Sequence, residues 1–153
     1  SMSVTRTMVC KYFMSESFVD FANLEQRMHK SKLAGFIIDC QTTDLDRAAD
    51  FWGGALGMPV RALPPGEGEI YKQLEDSRHG LQIEVQAVTH PSRVHLDIES
   101  DDVEAEVQRL EKLGATRIEL IRTWWVMEAP TGQRFCVIRA TSKDFDAKAS
   151  EWS

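Results

Sequence analysis

Between Arg93 and Ser100 the chain reads RVHLDIES. Val94, Leu96 and Ile98 alternate with Arg93, His95, Asp97 and Glu99, the period-two pattern of a strand with one apolar and one polar face. An imidazole titrates near neutrality, which makes His95 a candidate general base. Asp97 follows on the same face, roughly 6–7 Å away at Cα, so the two side chains can share one ligand. A second alternating stretch, LQIEVQAV, sets Gln82, Glu84 and Gln86 against Leu81, Ile83 and Val85. Unpaired buried charge is costly. Both polar faces therefore either meet water or line a pocket.

Other residues join these candidates. Asp39, in the β-rich run AGFIIDC, either binds a polar group in such a pocket, caps a turn or pairs with Arg93. Arg93 either neutralises an anionic ligand or solvates a strand end. Cys136 in RFCVI is a candidate ligand or nucleophile, although a cysteine in an apolar strand is more often a small buried side chain. Trp124 and Trp125 are adjacent in a strand and point to opposite faces, so one of them supplies a flat apolar pocket wall. Periodicity does not choose between them; Trp125 is carried into the ligand set. Trp52 is expected in the core. His29, His79 and His90 read as ordinary surface residues. The acidic run Glu99, Asp101, Asp102 and Glu104 reads as helix N-terminus chemistry.

The elements that would position these groups repeat. Asp44 N-caps a stretch whose Leu45, Ala48, Ala49, Phe51, Trp52 and Leu56 recur at helical spacing, ended by Gly57. Val103, Val107, Leu110 and Leu113 form a second stripe, ended by Gly114. Each helix follows a strand, ends in Leu-Gly and precedes three strands. Two modules result, 33–88 and 92–141, within a body of 33–141. One module cannot cover both faces of its sheet, so the faces opposite the helices meet each other or enclose something. An N-terminal arm, 1–32, carries Phe18, Phe21, Leu24 and Met28 at helical spacing. The polar tail, 142–153, receives no assignment.

At 153 residues and with 42% hydrophobic and 27% charged residues, the chain reads as one ordinary globular domain. A net charge of −6 argues against a nucleic-acid partner. No apolar run approaches the ~20 residues of a membrane span, and no signal-peptide core is visible. Cys10, Cys40 and Cys136 are odd in number and widely spaced, as expected of reduced thiols in a cytoplasmic protein.

The stretches IIDCQTTDLDRAADFWGGALGMPV, RVHLDIESDDVEAEVQRLEKLGATR and APTGQRFCVI resemble the vicinal oxygen chelate superfamily, in its glyoxalase-like branch. That superfamily includes glyoxalase I, extradiol dioxygenases and bleomycin-binding proteins. The resemblance implies an α+β fold: two β-α-β-β-β modules forming a cupped, partly open eight-stranded barrel, with the N-terminal helical arm outside it. It also implies a homodimer. In metal-using members four strands each give one ligand to the concave side. Here those positions fall near Gly35 and on Glu84, His95 and Cys136. Gly35 has nothing to offer, and Ile37 and Asp39 are next on its face.

The resemblance thus points to Glu84 and His95 as catalytic candidates and to His95, Glu84 and Cys136 as candidate ligands for a divalent metal (Zn, Ni, Mn or Fe). Asp39, Glu84, Arg93, His95, Asp97 and Trp125 form the candidate ligand-binding set. The depleted quartet favours a small-molecule binder without a complete metal site. A metal-dependent lyase or isomerase of the glyoxalase kind is the alternative, and a structural or interaction domain a third.

Overall fold

The computed structural model of the chain describes residues 28–66, 68–76 and 78–153. The apolar spacing at Phe18, Phe21 and Leu24 lies outside these residues. The first module comprises β1 (His29–Gln41), α1 (Leu45–Leu56), β2 (Val60–Arg61), β3 (Tyr71–Leu74) and β4 (Gln82–Val88). The second comprises β5 (Arg93–Ser100), α2 (Val103–Lys112), β6 (Thr116–Ile121), β7 (Trp124–Glu128) and β8 (Arg134–Arg139). A short α3 (Phe145–Lys148) and β9 (Ser150–Trp152) close the chain.

Both main helices begin and end for the same reasons. Asp44 accepts from Arg47 N at 3.0 Å, and Asp102 accepts from Ala105 N at 3.0 Å, so each carboxylate satisfies a free first-turn amide. Beyond the last turns, Gly57 and Gly114 take φ of 65° and 99°, the left-handed geometry that glycine adopts without a Cβ penalty. Among the described residues no helix is long and apolar enough to cross a membrane.

The strands form an open sheet in the order β2-β3-β4-β1-β5-β8-β7-β6. The order is symmetric about the β1–β5 pair. β1 and β5 run antiparallel, and each is flanked by a parallel partner, β4 and β8 respectively. Ile38 pairs with Val85 and Val94, so all three side chains share one face. On that face Leu45 and Ala49 of α1 pack with Ile38, Ile83 and Val85, while Val107 and Leu110 of α2 pack with Met127 and Val137. Burying such side chains contributes about 1.5–3 kcal/mol each. The concave face opposite the helices is left for other use.

Two features depart from the expectations. The tail is built into the sheet: β9 adds to the start of β1, with His29 opposite Trp152 and Ser31 opposite Ser150. β1 therefore starts at His29, and His29 is buried rather than on the surface. Its Nε2 lies 2.8 Å from Oε2 of the fully buried Glu106. Glu106 also accepts from Ser31 Oγ, from Arg109 Nε at 2.8 Å and from Arg109 Nη2 at 2.7 Å. Trp152 Nε1 donates to Ser31 Oγ at 2.7 Å, and Arg109 stacks on the Trp152 ring at 3.9 Å.

Glu99 is likewise not a helix N-terminus residue. It is buried and accepts from the backbone N–H of Thr141 and Ser142, and Lys32 Nζ lies 3.0 Å from its other oxygen. Burial alone would raise its pKa; the hydrogen bonds from Ser142, Thr141 and Lys32 outweigh it and hold the carboxyl below its ordinary range.

Candidate functional site

The register across the central strands assembles the site. Ile37 pairs with Glu84 on one side and His95 on the other. Gly35 pairs with Asp97, and Asp97 with Cys136. All of these project from the concave face, where β4, β1, β5 and β8 meet. The polar faces read from LQIEVQAV and RVHLDIES thus open into one hollow. Its larger lobe, about 490 Å³, is lined by Ile37, Glu84, His95, Asp97 and Ile138 among others. A smaller lobe of about 370 Å³ is lined by Asp39, Gln86, Arg93, Val126 and Arg134 among others. Tyr71, His95, Trp124 and Cys136 line both.

His95 is held from behind. Its Nδ1 lies 2.9 Å from Asp39 Oδ2, and Arg93 Nε donates to the same oxygen at 3.2 Å. Asp39 thereby meets both partners at once. Its side chain is 1% exposed. Burial would raise its pKa, but the hydrogen bonds from His95 and Arg93 win and keep it below the usual carboxylate range. An anionic Asp39 requires the proton of the neutral imidazole on Nδ1, which leaves Nε2 as an acceptor facing the hollow.

Asp97 is shifted the opposite way. Burial pushes its carboxyl up to about 6, against the lowering influence of His95 and Cys136. His95 Nε2 stands 3.6 Å from Asp97 Oδ1, beyond a hydrogen bond. Asp97 Oδ1 and Asp39 Oδ1 are buried with no hydrogen-bond partner among the described residues. Burial, then the charge of Asp97, pushes the Cys136 thiol up to about 12, so it is protonated and a poor nucleophile. Burial, then the Glu84 charge, pushes the Tyr71 phenol up to about 12, and Gln86 Nε2 donates to its oxygen at 2.9 Å.

The metal-ligand expectation changes here. One donor atom each from His95, Asp97 and Cys136 lie within 4.8 Å of one another, and Glu84 is not part of that group. Glu84 stands on β4, two strands from His95, with Ile37 between them. Asp97 takes its place because it neighbours both His95 along β5 and Cys136 across to β8. Gly35 is fixed as glycine by backbone crowding. Next to an irregularity in the β1–β5 register, β1 runs so close to β4 that a Cβ there would lie 1.7 Å from the Gln82 carbonyl oxygen.

The tryptophan assignment is also corrected. Trp125 pairs with Val137, a residue of the helix-side core, so it points away from the hollow, beneath Arg117 at 4.8 Å. Trp124 is the concave residue. Its partner on the opposite module is Tyr71, from β3, the strand that corresponds to β7 in the repeat. The sequence offers a hydroxyl and an aromatic ring there but no periodic signal, because β3 is only four residues long.

The same architecture occurs in solved structures. Methylmalonyl-CoA epimerase from Mycobacterium tuberculosis is 17% identical, with a TM-score of 0.53 over 72% of this chain and 89% of that one. A methylmalonyl-CoA epimerase in complex with methylmalonyl-CoA and NH4+ is 15% identical, with a TM-score of 0.52 over 74% of this chain and 97% of that one. A hypothetical protein from Bacillus halodurans C-125 is 17% identical, with a TM-score of 0.50 over 74% of this chain and 98% of that one. At these identities the likeness is one of fold. No curated protein matches the chain in sequence. The family model of the Glyoxalase-like domain matches residues 35–138, from the strand that carries Asp39 to the strand that carries Cys136. The chain therefore belongs to the Glyoxalase-like domain family.

Proposed function

We propose that the chain binds a small organic molecule in the concave hollow, between Tyr71 and Trp124 and over His95, without the four-ligand metal set of its metal-using relatives. The observation that carries this reading is the held imidazole. Asp39 engages Nδ1, so Nε2 offers a directed acceptor inside a hollow of suitable size for a small ligand. Glu84 and Asp97 add carboxyl groups on the same floor, and Trp124 adds a flat apolar wall. A fold relative in complex with a small-molecule ester is consistent with this use of the architecture. The test is a panel of planar organic fragments, read by thermal shift and by the tryptophan indole N–H signals. Binding should weaken at least tenfold in Trp124→Ala and in His95→Ala, and stay unchanged in Trp125→Ala. If no fragment stabilises the protein, the reading fails and a structural role gains weight.

A second reading rests on a separate observation. The donor set of His95, Asp97 and Cys136 suits a borderline divalent ion such as zinc, and Asp97 Oδ1 is buried without a partner. The Asp39–His95 contact is the arrangement that orients a metal-binding imidazole. When bound, such an ion would polarise a carbonyl oxygen of the substrate. Glu84 would then be the carboxyl group placed to take or return a proton, as a lyase or isomerase requires. Elemental analysis of protein purified without chelator separates the readings. One equivalent of metal, lost in Cys136→Ser, supports the enzyme. Less than a tenth of an equivalent, with fragment binding intact, supports the metal-free binder.

A further inference from the structure

The two lobes of the hollow treat their arginines differently. In the smaller lobe both are paired: Arg93 with Asp39 at 3.2 Å and Arg134 with Glu128 at 3.0 Å. In the larger lobe, Arg122 and Arg139 form no ion pair among the described residues, although the chain has 24 acidic and 18 basic residues.

Arg122 carries a second, independent mark. It sits in the two-residue turn between β6 and β7, where Ile121 pairs with Trp124. Its φ is 53°, and among the described residues it is the one non-glycine with positive φ. Glycine is the ordinary choice for such a turn, since a side chain there is disfavoured. Uncommon backbone states of this kind gather at binding sites, where the side chain's placement compensates for the conformation. Here the placement is the rim of the larger lobe, next to Trp124. Arg139, the last residue of β8, also borders the lobe, but it shares the face of Val137, so its side chain turns to the helix side.

The charge of the lobe is therefore divided. Glu84 and Asp97 occupy the floor with His95, and Arg122 occupies the rim. We infer that the ligand of this hollow is a small organic acid, whose carboxylate or phosphate is gripped by Arg122 while its other end lies between Tyr71 and Trp124 above His95. Guanidinium forks match both oxyanions bidentately, so the geometry names the shared chemistry. This inference rests on the small-molecule reading above and adds the class of ligand.

The probes are benzoate, phenyl phosphate and the neutral benzamide, titrated into the full chain and followed by indole N–H shifts. The acids should bind at least tenfold more tightly than benzamide. Arg122→Gly is the decisive variant. It should raise the melting temperature, because the turn loses its disfavoured side chain, while weakening the acids at least tenfold and leaving benzamide unchanged. A merely structural Arg122 would not produce that split. Arg139→Gln, on the helix face, should leave the acids unchanged. Preference for benzoate assigns a carboxylate, and preference for phenyl phosphate a phosphate. Benzamide binding as tightly as the acids, with Arg122→Gly without effect, overturns the inference while the small-molecule reading stands. Absence of binding by all three probes and by the fragment panel overturns both.

Discussion

Among the described residues, two close histidine–carboxylate contacts are shielded from solvent and nearly equal in length, His29–Glu106 at 2.8 Å and His95–Asp39 at 2.9 Å. They lie on opposite faces of the same sheet. On the helix side Glu106 is surrounded: Arg109 binds it through two nitrogens, Ser31 donates to it, and Trp152 completes the group through Ser31 and Arg109. On the concave side the pair is incomplete. One oxygen of Asp39 and one of Asp97 have no hydrogen-bond partner among the described residues, and a cavity stands beyond His95. A satisfied polar cluster holds structure together, whereas an unsatisfied one next to a hollow waits for a ligand. The same two residue types thus serve the fold in one place and the site in the other.

That contrast can be broken from either side. The largest effect is expected at Glu106. Glu106→Ala leaves Arg109 and His29 without their partner and should destabilise the protein by about 3–5 kcal/mol, read by urea unfolding. Its carboxyl is held below the ordinary range, because the hydrogen bonds from Arg109, His29 and Ser31 outweigh burial. A lowered carboxylate contributes stability above its unfolded pKa and loses it as pH falls through the folded value. The difference between wild type and variant should therefore shrink on acidification.

Asp97 should respond with the opposite sign. Its folded pKa of about 6 lies above the ordinary carboxylate value, so the folded state binds more protons between roughly pH 4 and 6. Stability from this group falls as pH rises through that window. Asp97→Asn should stabilise the protein by on the order of 2 kcal/mol at pH 8 and by nearly nothing at pH 4. A destabilised Asp97→Asn at pH 8 would show that the hollow is not the incomplete member of the comparison.

Smaller effects sharpen the boundary. Trp152→Ala removes one hydrogen bond and one stacked guanidinium, and should cost about 1–3 kcal/mol without changing fragment binding. Trp124→Ala should do the reverse, abolishing fragment binding with a loss under about 1.5 kcal/mol, since a ring that lines a cavity gives up less packing than a core ring.

Much of the fold was legible because it depends on local rules applied twice. The capping carboxylates Asp44 and Asp102, the terminating Gly57 and Gly114 and the alternating strands each follow from a few neighbouring residues. The pleat and the repeat left the faces of Glu84 and His95 turned to water or to a pocket; the family resemblance pointed to the pocket. What stayed hidden depends on pairing across strands. Trp125 could be separated from Trp124 only by knowing that it meets Val137. Asp97 displaces Glu84 from the three-donor group because of its register with Cys136. His29 was misread because its burial is produced by β9, three residues with no periodicity of their own. Gly35 is the instructive middle case. Its missing side chain was plain, but the reason, the nearness of the Gln82 carbonyl, belongs to the neighbouring strand.

The pairing of His29 with Trp152 has a practical corollary. With residues 1–27 left off, His29 and Trp152 stand about one interstrand spacing apart, roughly 5 Å. A turn of a few residues would splice them, and fresh ends could be opened in the glycine-bearing connection between β2 and β3. Such a circularly permuted polypeptide should retain the ligand hollow, since β4, β1, β5 and β8 would keep their neighbours.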